Sequence, residues 1–156
     1  MKLNLGCGGD KREGYVNIDI RESVKPDLVW DLEKFPYPFE DESAEEIIAS
    51  DVLEHLSFHK VEQAVREIWR ILKKGGKLFI RCPDLEMLFK KVVLNPNADF
   101  KEMSFWIYGA QDYPENLHKS GFTKRTLREL LEKVGFKIEN IGNDGGTNII
   151  CWAIKP

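Results

Sequence analysis

Long apolar runs are missing from this sequence. None approaches the roughly 18 residues that a membrane-spanning helix needs, so no membrane contact is expected. Cysteine is scarce. Cys7, Cys82 and Cys151 are odd in number and far apart, which excludes a disulfide framework and the paired spacing of a zinc site, and a reduced, cytoplasmic setting is expected. A basic surplus is absent too. The 23 Lys and Arg residues against 26 Asp and Glu leave a formal charge of -3, so a nucleic-acid backbone is not expected as the main partner. The start, Met1-Lys2-Leu3-Asn4-Leu5-Gly6, enters a strand-like run at once, and its apolar stretch is too short for a secretory leader. No internal repeat or low-complexity tract is present.

What remains is an ordinary globular composition, with 42% apolar and 31% charged residues over 156 positions. That suits a single domain over residues 1–156 with one continuous core. Runs at Lys2–Leu5, Tyr15–Ile20, Asp27–Trp30 and Glu46–Ser50 predict four strands. The stretch Phe35-Pro36-Tyr37-Pro38-Phe39 reads as loop, because two close prolines deny a ladder its donors. Val61, Ala64, Val65, Ile68, Ile71 and Leu72 predict a helix over Ser57–Lys74, capped by Ser57 and stopped by Gly75. Lys77–Cys82 is the next strand, halted by Pro83, and Asp84 is placed to cap a short helix that ends near Asn95-Pro96. Residues 97–122 read as irregular and aromatic. A last helix from about Thr123 to Val134, stopped by Gly135, precedes strands at Phe136–Ile141 and Thr147–Ile154. Asn143-Asp144-Gly145-Gly146 joins those two as a hairpin turn.

Only the last two strands are joined tightly; the others need crossovers or long loops. This predicts an α/β domain with a mostly parallel sheet covered on both faces and a C-terminal antiparallel hairpin. Ligands of such sheets bind beyond the carboxyl ends of the strands, where strand order reverses.

The residues after the strands are informative. Gly6-Cys7-Gly8-Gly9 follows the first strand and lets the backbone turn tightly and approach a ligand, although a plain tight turn needs the same residues. Asp19 follows the second strand. Its acceptor-only carboxylate suits both hydroxyls of a ribose, the bland reading being an ordinary strand-end aspartate. A dinucleotide fingerprint would put glycine where Lys11 stands, and an acid about 20 residues on, later than Asp19. A smaller nucleoside cofactor without the pyrophosphate fits better.

Five blocks in order carry a more specific likeness: Leu3-Asn4-Leu5-Gly6-Cys7-Gly8; Asn17-Ile18-Asp19; the stretch from Asp31 through Pro38-Phe39 to Asp41 and Ser43; Val52-Leu53-Glu54-His55-Leu56; and Leu72-Lys73-Lys74-Gly75-Gly76-Lys77-Leu78. His118 through Phe122-Thr123, Leu130-Leu131 and Gly135-Phe136 extend it to the C-terminal run. Together they resemble a small class I S-adenosylmethionine-dependent methyltransferase. The resemblance implies a Rossmann-like seven-stranded sheet, S-adenosylmethionine as cofactor and S-adenosylhomocysteine as product. It implies that Gly6, Cys7 and Gly8 line the methionine part and that Asp19 holds the ribose. Asp31 and Leu32 would sit at the adenine, and Ser50 and Asp51 under the amino-acid end near the sulfonium.

The chain departs from that family at three places. Asn4 stands where an acid is common, and Asp10 where a third glycine is common. Residues 9–14 alone separate the glycine turn from the next strand, so the first crossover helix is shortened or absent. The chain also begins at its first strand, so either affinity is weak or a second subunit, as in a homodimer, covers the cofactor site.

Methyl transfer from a sulfonium depends mainly on alignment and exclusion of water. A base helps where the acceptor must lose a proton. His55, after the fourth strand, and His118, in the irregular segment, are the candidates; their bland readings are a helix brace and an exposed loop residue. His55 and His59 stand four apart, but Ser57 between them and the lack of a clear third ligand leave no metal site expected. Phe105–Tyr113 mixes aromatic bodies with polar tips, which suits a small polar acceptor such as a carbohydrate, with Gln111, Asp112 and Asn116 as partners; a hydrophobic flap over the core or a subunit contact is the simpler reading of it. A nucleotide-dependent oxidoreductase and a catalytically degenerate binding or interaction module stay as alternatives.

Overall fold

The computed structural model describes residues 1–156. The strands are β1 (Lys2–Leu5), β2 (Val16–Asp19), β3 (Leu28–Val29), β4 (Ala44–Ser50), β5 (Leu72–Pro83), β6 (Lys137–Asn143) and β7 (Asn148–Ile154). The α-helices are α1 (Val61–Ile71), α2 (Leu85–Leu88), α3 (Phe100–Tyr108) and α4 (Lys124–Val134). All seven strands form one sheet in the order β3-β2-β1-β4-β5-β7-β6. The β1, β2, β3, β4 and β5 pairings are parallel, and β7 pairs antiparallel with both β5 and β6. The order reverses between β1 and β4, so a ligand crevice is expected beyond Leu5 and Ser50.

Period-two alternation puts Leu3, Leu5, Ile47, Ala49, Leu78, Ile80, Cys82, Ile149, Cys151 and Ala153 into one core with Ile18. Helix α1 adds Val61, Ala64, Val65, Ile68 and Ile71, one stripe at three- and four-residue spacing. Helix α4 adds Leu127 and Leu131 and packs against α1. Burying that set supplies most of the driving force for the fold, at about 25 cal/mol per Å² of apolar surface. On the opposite face Phe79 and Trp152 pack with tilted rings, centroids 4.8 Å apart, and remain half-buried.

No helix joins β1 to β2. A hydrogen-bonded loop replaces it, and Asn4, only 2% exposed, is its anchor. Asn4 Nδ2 donates to the Asp10 carbonyl (2.7 Å) and to Asn17 Oδ1 (3.0 Å), while the Arg12 N–H donates to Asn17 Oδ1 (2.8 Å). An amide can donate where the family's usual acid cannot. The departures at Asn4 and at the first crossover thus have one cause.

Several element boundaries differ from those predicted, most clearly around α1 and α3. Helix α1 starts at Val61 with no side-chain cap, and the Ser57 N–H is instead satisfied by Glu33 Oε1 at 2.7 Å. The helix ends at Ile71 rather than Gly75, because Leu72 already pairs with Ala44 of β4 and its carbonyl accepts from Lys155 Nζ at 2.8 Å. Residues 97–122 contain α3, whose N-terminus Asp99 caps through the Glu102 N–H (2.8 Å). At α4 the cap at Thr123 and the left-handed Gly135 stop are as predicted.

Candidate active site

The first cavity, about 560 Å³, lies at the carboxyl ends of β1, β2 and β4. That is within the range of small-ligand sites. Gly6, Cys7, Gly8, Asp19, Asp31, Leu32, Ser50, Asp51 and His55 all line it, so the expected cofactor residues converge on one crevice. Gly6 (φ +61°) and Gly8 (φ +49°) adopt left-handed backbone. A Cβ on Gly6 would lie 2.3 Å from Val52 Cγ2, so no other residue fits there. The Cys7 N–H donates to the Ile18 carbonyl and the Asp10 N–H to the Cys7 carbonyl, both at 2.8 Å, which locks the turn. Cys7 itself is buried and its thiol pKa is pushed up by that burial, so it is a wall and not a nucleophile.

Asp19 is 5% exposed and holds the turn from below. Its Oδ2 accepts from the Gly8 N–H (2.8 Å), and its Oδ1 from the Arg21 N–H (2.9 Å) and Arg21 Nε (3.3 Å). Oδ2, with a single donor, keeps acceptor capacity for a hydroxyl. Asp31 spends one oxygen on the Glu33 N–H (2.9 Å) and keeps the other. Trp30 also lines the crevice, and its buried indole N–H has no partner. A buried donor without an acceptor is costly, and a ligand acceptor would satisfy it. This orphan, the free acceptor capacity of Asp19 and Asp31, and the glycine cradle fit a nucleoside cofactor.

Sequence reasoning missed Trp30 and Arg21 and put Tyr113 at the acceptor rather than here. The Arg21 guanidinium lies 4.2 Å from the Tyr113 ring centroid, and Tyr113, Pro114 and Glu115 form part of the cavity wall. Cover expected from a second subunit is therefore partly supplied by this chain. Only contacts across more than 90 residues reveal it.

Asp51 sits just past β4 at φ +53°, a strained setting for a non-glycine residue. Its N–H donates to the Arg81 carbonyl (2.8 Å), and its carboxylate pairs with the Arg81 side chain, which also reaches Asp144 at 3.4 Å. Asp51 and His55 form a boundary with a second cavity of about 480 Å³. That cavity is lined by Glu54, Arg81, Trp106, Asn116 and His118 among others. Phe105, Trp106 and Asn116 of the expected acceptor segment reach it; Tyr113 turns to the first cavity instead.

His55 and His118, 63 residues apart in sequence, meet edge-on with ring centroids 5.1 Å apart. Burial lowers the pKa of both, so both rings are neutral at neutral pH. His55 Nδ1 lies 3.1 Å from the Leu117 carbonyl, which can only accept. His59 stands apart, packed on Phe58 at 3.7 Å. Glu54, 3% exposed, carries a buried Oε2 without a partner, and burial pushes its pKa up to about 8.

With this geometry in view, the likenesses to known proteins become readable. Residues 7–80 match the model of a family described as a methyltransferase domain. A Pyrococcus horikoshii protein is 21% identical, with a TM-score of 0.70 over 99% of this chain and 81% of its own. An S-adenosylmethionine-dependent methyltransferase from Mesorhizobium loti is 15% identical, with a TM-score of 0.70 over 98% of this chain and 89% of its own. A third, a SAM-dependent methyltransferase from Archaeoglobus fulgidus, is 18% identical, with a TM-score of 0.68 over 99% and 85%. No curated protein matches the sequence. The fold is that of Rossmann-like methyltransferase structures, and the family match covers residues 7–80, just under half of the chain. No helix is long and apolar enough to cross a membrane.

Proposed function

We propose that the protein transfers a methyl group from S-adenosylmethionine to a small polar acceptor, with a carbohydrate or another hydroxylated metabolite as its class. One observation carries this reading: two cavities share Asp51 and His55, one lined by the expected cofactor residues and the other by Trp106, Asn116, Arg81 and His118. The sulfonium of the cofactor supplies an electrophilic methyl group. This chain's residues do the rest. The glycine turn, Asp19, Asp31 and Trp30 orient one partner, and Asp51 and His55 mark where the other must approach it. Trp106 offers an apolar face for a sugar ring, and Asn116 and Arg81 offer polar contacts. His55, neutral because burial lowers its pKa, is placed to accept a proton from the acceptor, and His118 braces it edge-on.

The nucleotide-dependent oxidoreductase reading loses support on one point. A pyrophosphate is ordinarily held at a helix N-terminus, and the β1–β2 connection contains no helix. A binding module without turnover is the second reading, favoured by the engagement of Asn4 in the loop rather than at the crevice.

Transfer of labelled methyl to a panel of sugars, sugar nucleotides and small alcohols and amines tests the proposal. Turnover of at least one hydroxylated acceptor is expected, falling about 10²–10⁴-fold in His55→Gln. Undiminished turnover in that variant removes His55 from the chemistry. Cofactor binding with no turnover of any acceptor favours the binding module.

A further inference from the structure

We infer that Glu54, His55 and His118 bind one divalent transition-metal ion at the wall of the second cavity. One ligand atom from each lies within 4.8 Å of the others, a spacing that small side-chain adjustments close around an ion. Two of the three come from the turn Leu53–His55 and the third from a segment 63 residues away. The chain stitches those segments together. The Glu54 carbonyl accepts from the N–H groups of Lys119 (2.7 Å) and Ser120 (3.1 Å). The Ser120 hydroxyl reaches the carbonyls of Leu53 (3.0 Å) and Leu56 (2.9 Å).

The independent observation is Glu54 itself. It is 97% buried by its 3% exposure, lines the second cavity, makes no ion pair, and leaves Oε2 without any hydrogen-bond partner. A buried polar atom of that kind calls for a partner in the cavity it faces. Arg81, on the same cavity wall, does not serve, because it is already held by Asp51 and Asp144.

The histidines are prepared as ligands. Because the Leu117 carbonyl accepts, His55 Nδ1 carries the proton and Nε2 keeps its lone pair. The backbone of Ile107 and Trp106 lies near the His118 ring. Backbone carbonyls behind imidazoles are the usual outer support of metal-bound histidine. Two imidazoles and one carboxylate favour zinc, cobalt, nickel or ferrous iron over magnesium or calcium. Three ligands leave coordination positions toward the second cavity, suited to a hydroxyl oxygen.

The site rests on these residues alone; its use by an acceptor rests on the proposed methyl transfer. In the loaded protein His55 and His118 would act as ligands, and the ion would make the acceptor hydroxyl more acidic, so that its proton leaves to water in the second cavity.

Calorimetric titration of chelator-treated, tag-free protein with Zn²⁺ tests the site, alongside titration of the same metal-free protein with S-adenosylhomocysteine. One equivalent per chain is expected, weakened at least about tenfold in Glu54→Gln and in His118→Gln, since loss even of outer support costs about 10–100-fold. Excess Mg²⁺ should not compete. In the Co²⁺-loaded wild type, NMR should show two hyperfine-shifted imidazole N–H signals, which keeps the test independent of whether the variants fold. Absence of stoichiometric binding, affinity unchanged in both variants, or fewer than two shifted signals overturns the inference. Loss of S-adenosylhomocysteine binding with intact Zn²⁺ binding would sink the cofactor reading and leave the metal site standing.

Discussion

Replacing Gly6 by alanine strikes the glycine turn at its tightest point. The new Cβ would lie 2.3 Å from Val52 Cγ2 and 2.8 Å from Val52 Cβ, on a backbone at φ +61°. The left-handed conformation costs a non-glycine residue about 1–2 kcal/mol. Forcing a methyl group into a packed site adds about 1–3 kcal/mol. The sum, about 2–5 kcal/mol, is a large fraction of the roughly 5–15 kcal/mol that holds a domain of this kind together. Gly14→Ala separates the two contributions, because Gly14 has φ +78° but nothing within 4 Å of an added Cβ. With a urea slope of about 2 kcal/mol per M, the midpoint should fall by about 1–2.5 M in Gly6→Ala and by about 0.5–1 M in Gly14→Ala. Denaturation followed by tryptophan fluorescence measures both. Equal midpoints would refute the claim that Val52 makes Gly6 obligatory.

Asp19→Asn keeps the shape but turns an acceptor-only group into one that also donates. Binding of S-adenosylhomocysteine by calorimetry should weaken at least about tenfold, because the Gly8 N–H and the ribose both need an acceptor there. Trp30→Phe removes the orphan indole N–H; affinity for the same ligand should fall about three- to tenfold, as expected for one lost hydrogen bond, and an unchanged affinity would show that the donor faces no ligand atom. Asp144 is held at about 2, chiefly by the Asn148 side chain, with the Gly146 and Asn148 N–H groups and Arg81 assisting. A carboxylate so depressed stabilises the fold above its unfolded value of about 3.9, and that contribution is lost as pH falls from about 4 to about 2. Urea midpoints across that window should therefore slope less in Asp144→Asn than in the wild type.

Much of the cofactor crevice is legible in sequence because its parts follow strands. Gly6–Gly8, Asp19, Asp31 and Ser50-Asp51 each come just after a short apolar run, and strand ends of a parallel sheet share one edge. Boundaries set by pairing are not legible in the same way. Leu72 continues the apolar periodicity of α1, yet its backbone belongs to the sheet through Ala44 and Lys155. Helix α3 is hidden for another reason: it buries no residue fully, so its sequence lacks the two-faced pattern that marks α1. The second cavity is hardest to foresee. Glu54 and His118 come together through the hydrogen bonds of Lys119, Ser120 and the His55 ring, and His59, which sequence spacing pairs with His55, packs on Phe58 instead.

The central claim is that the crevice beyond β1, β2 and β4 holds a nucleoside sulfonium cofactor. Calorimetric titration of the wild-type chain with S-adenosylhomocysteine, with NADH as the matched control, tests it most directly. Saturable binding at one site per chain for S-adenosylhomocysteine, and none for NADH, is the predicted result. Folded protein that binds neither, or binds NADH instead, would contradict it.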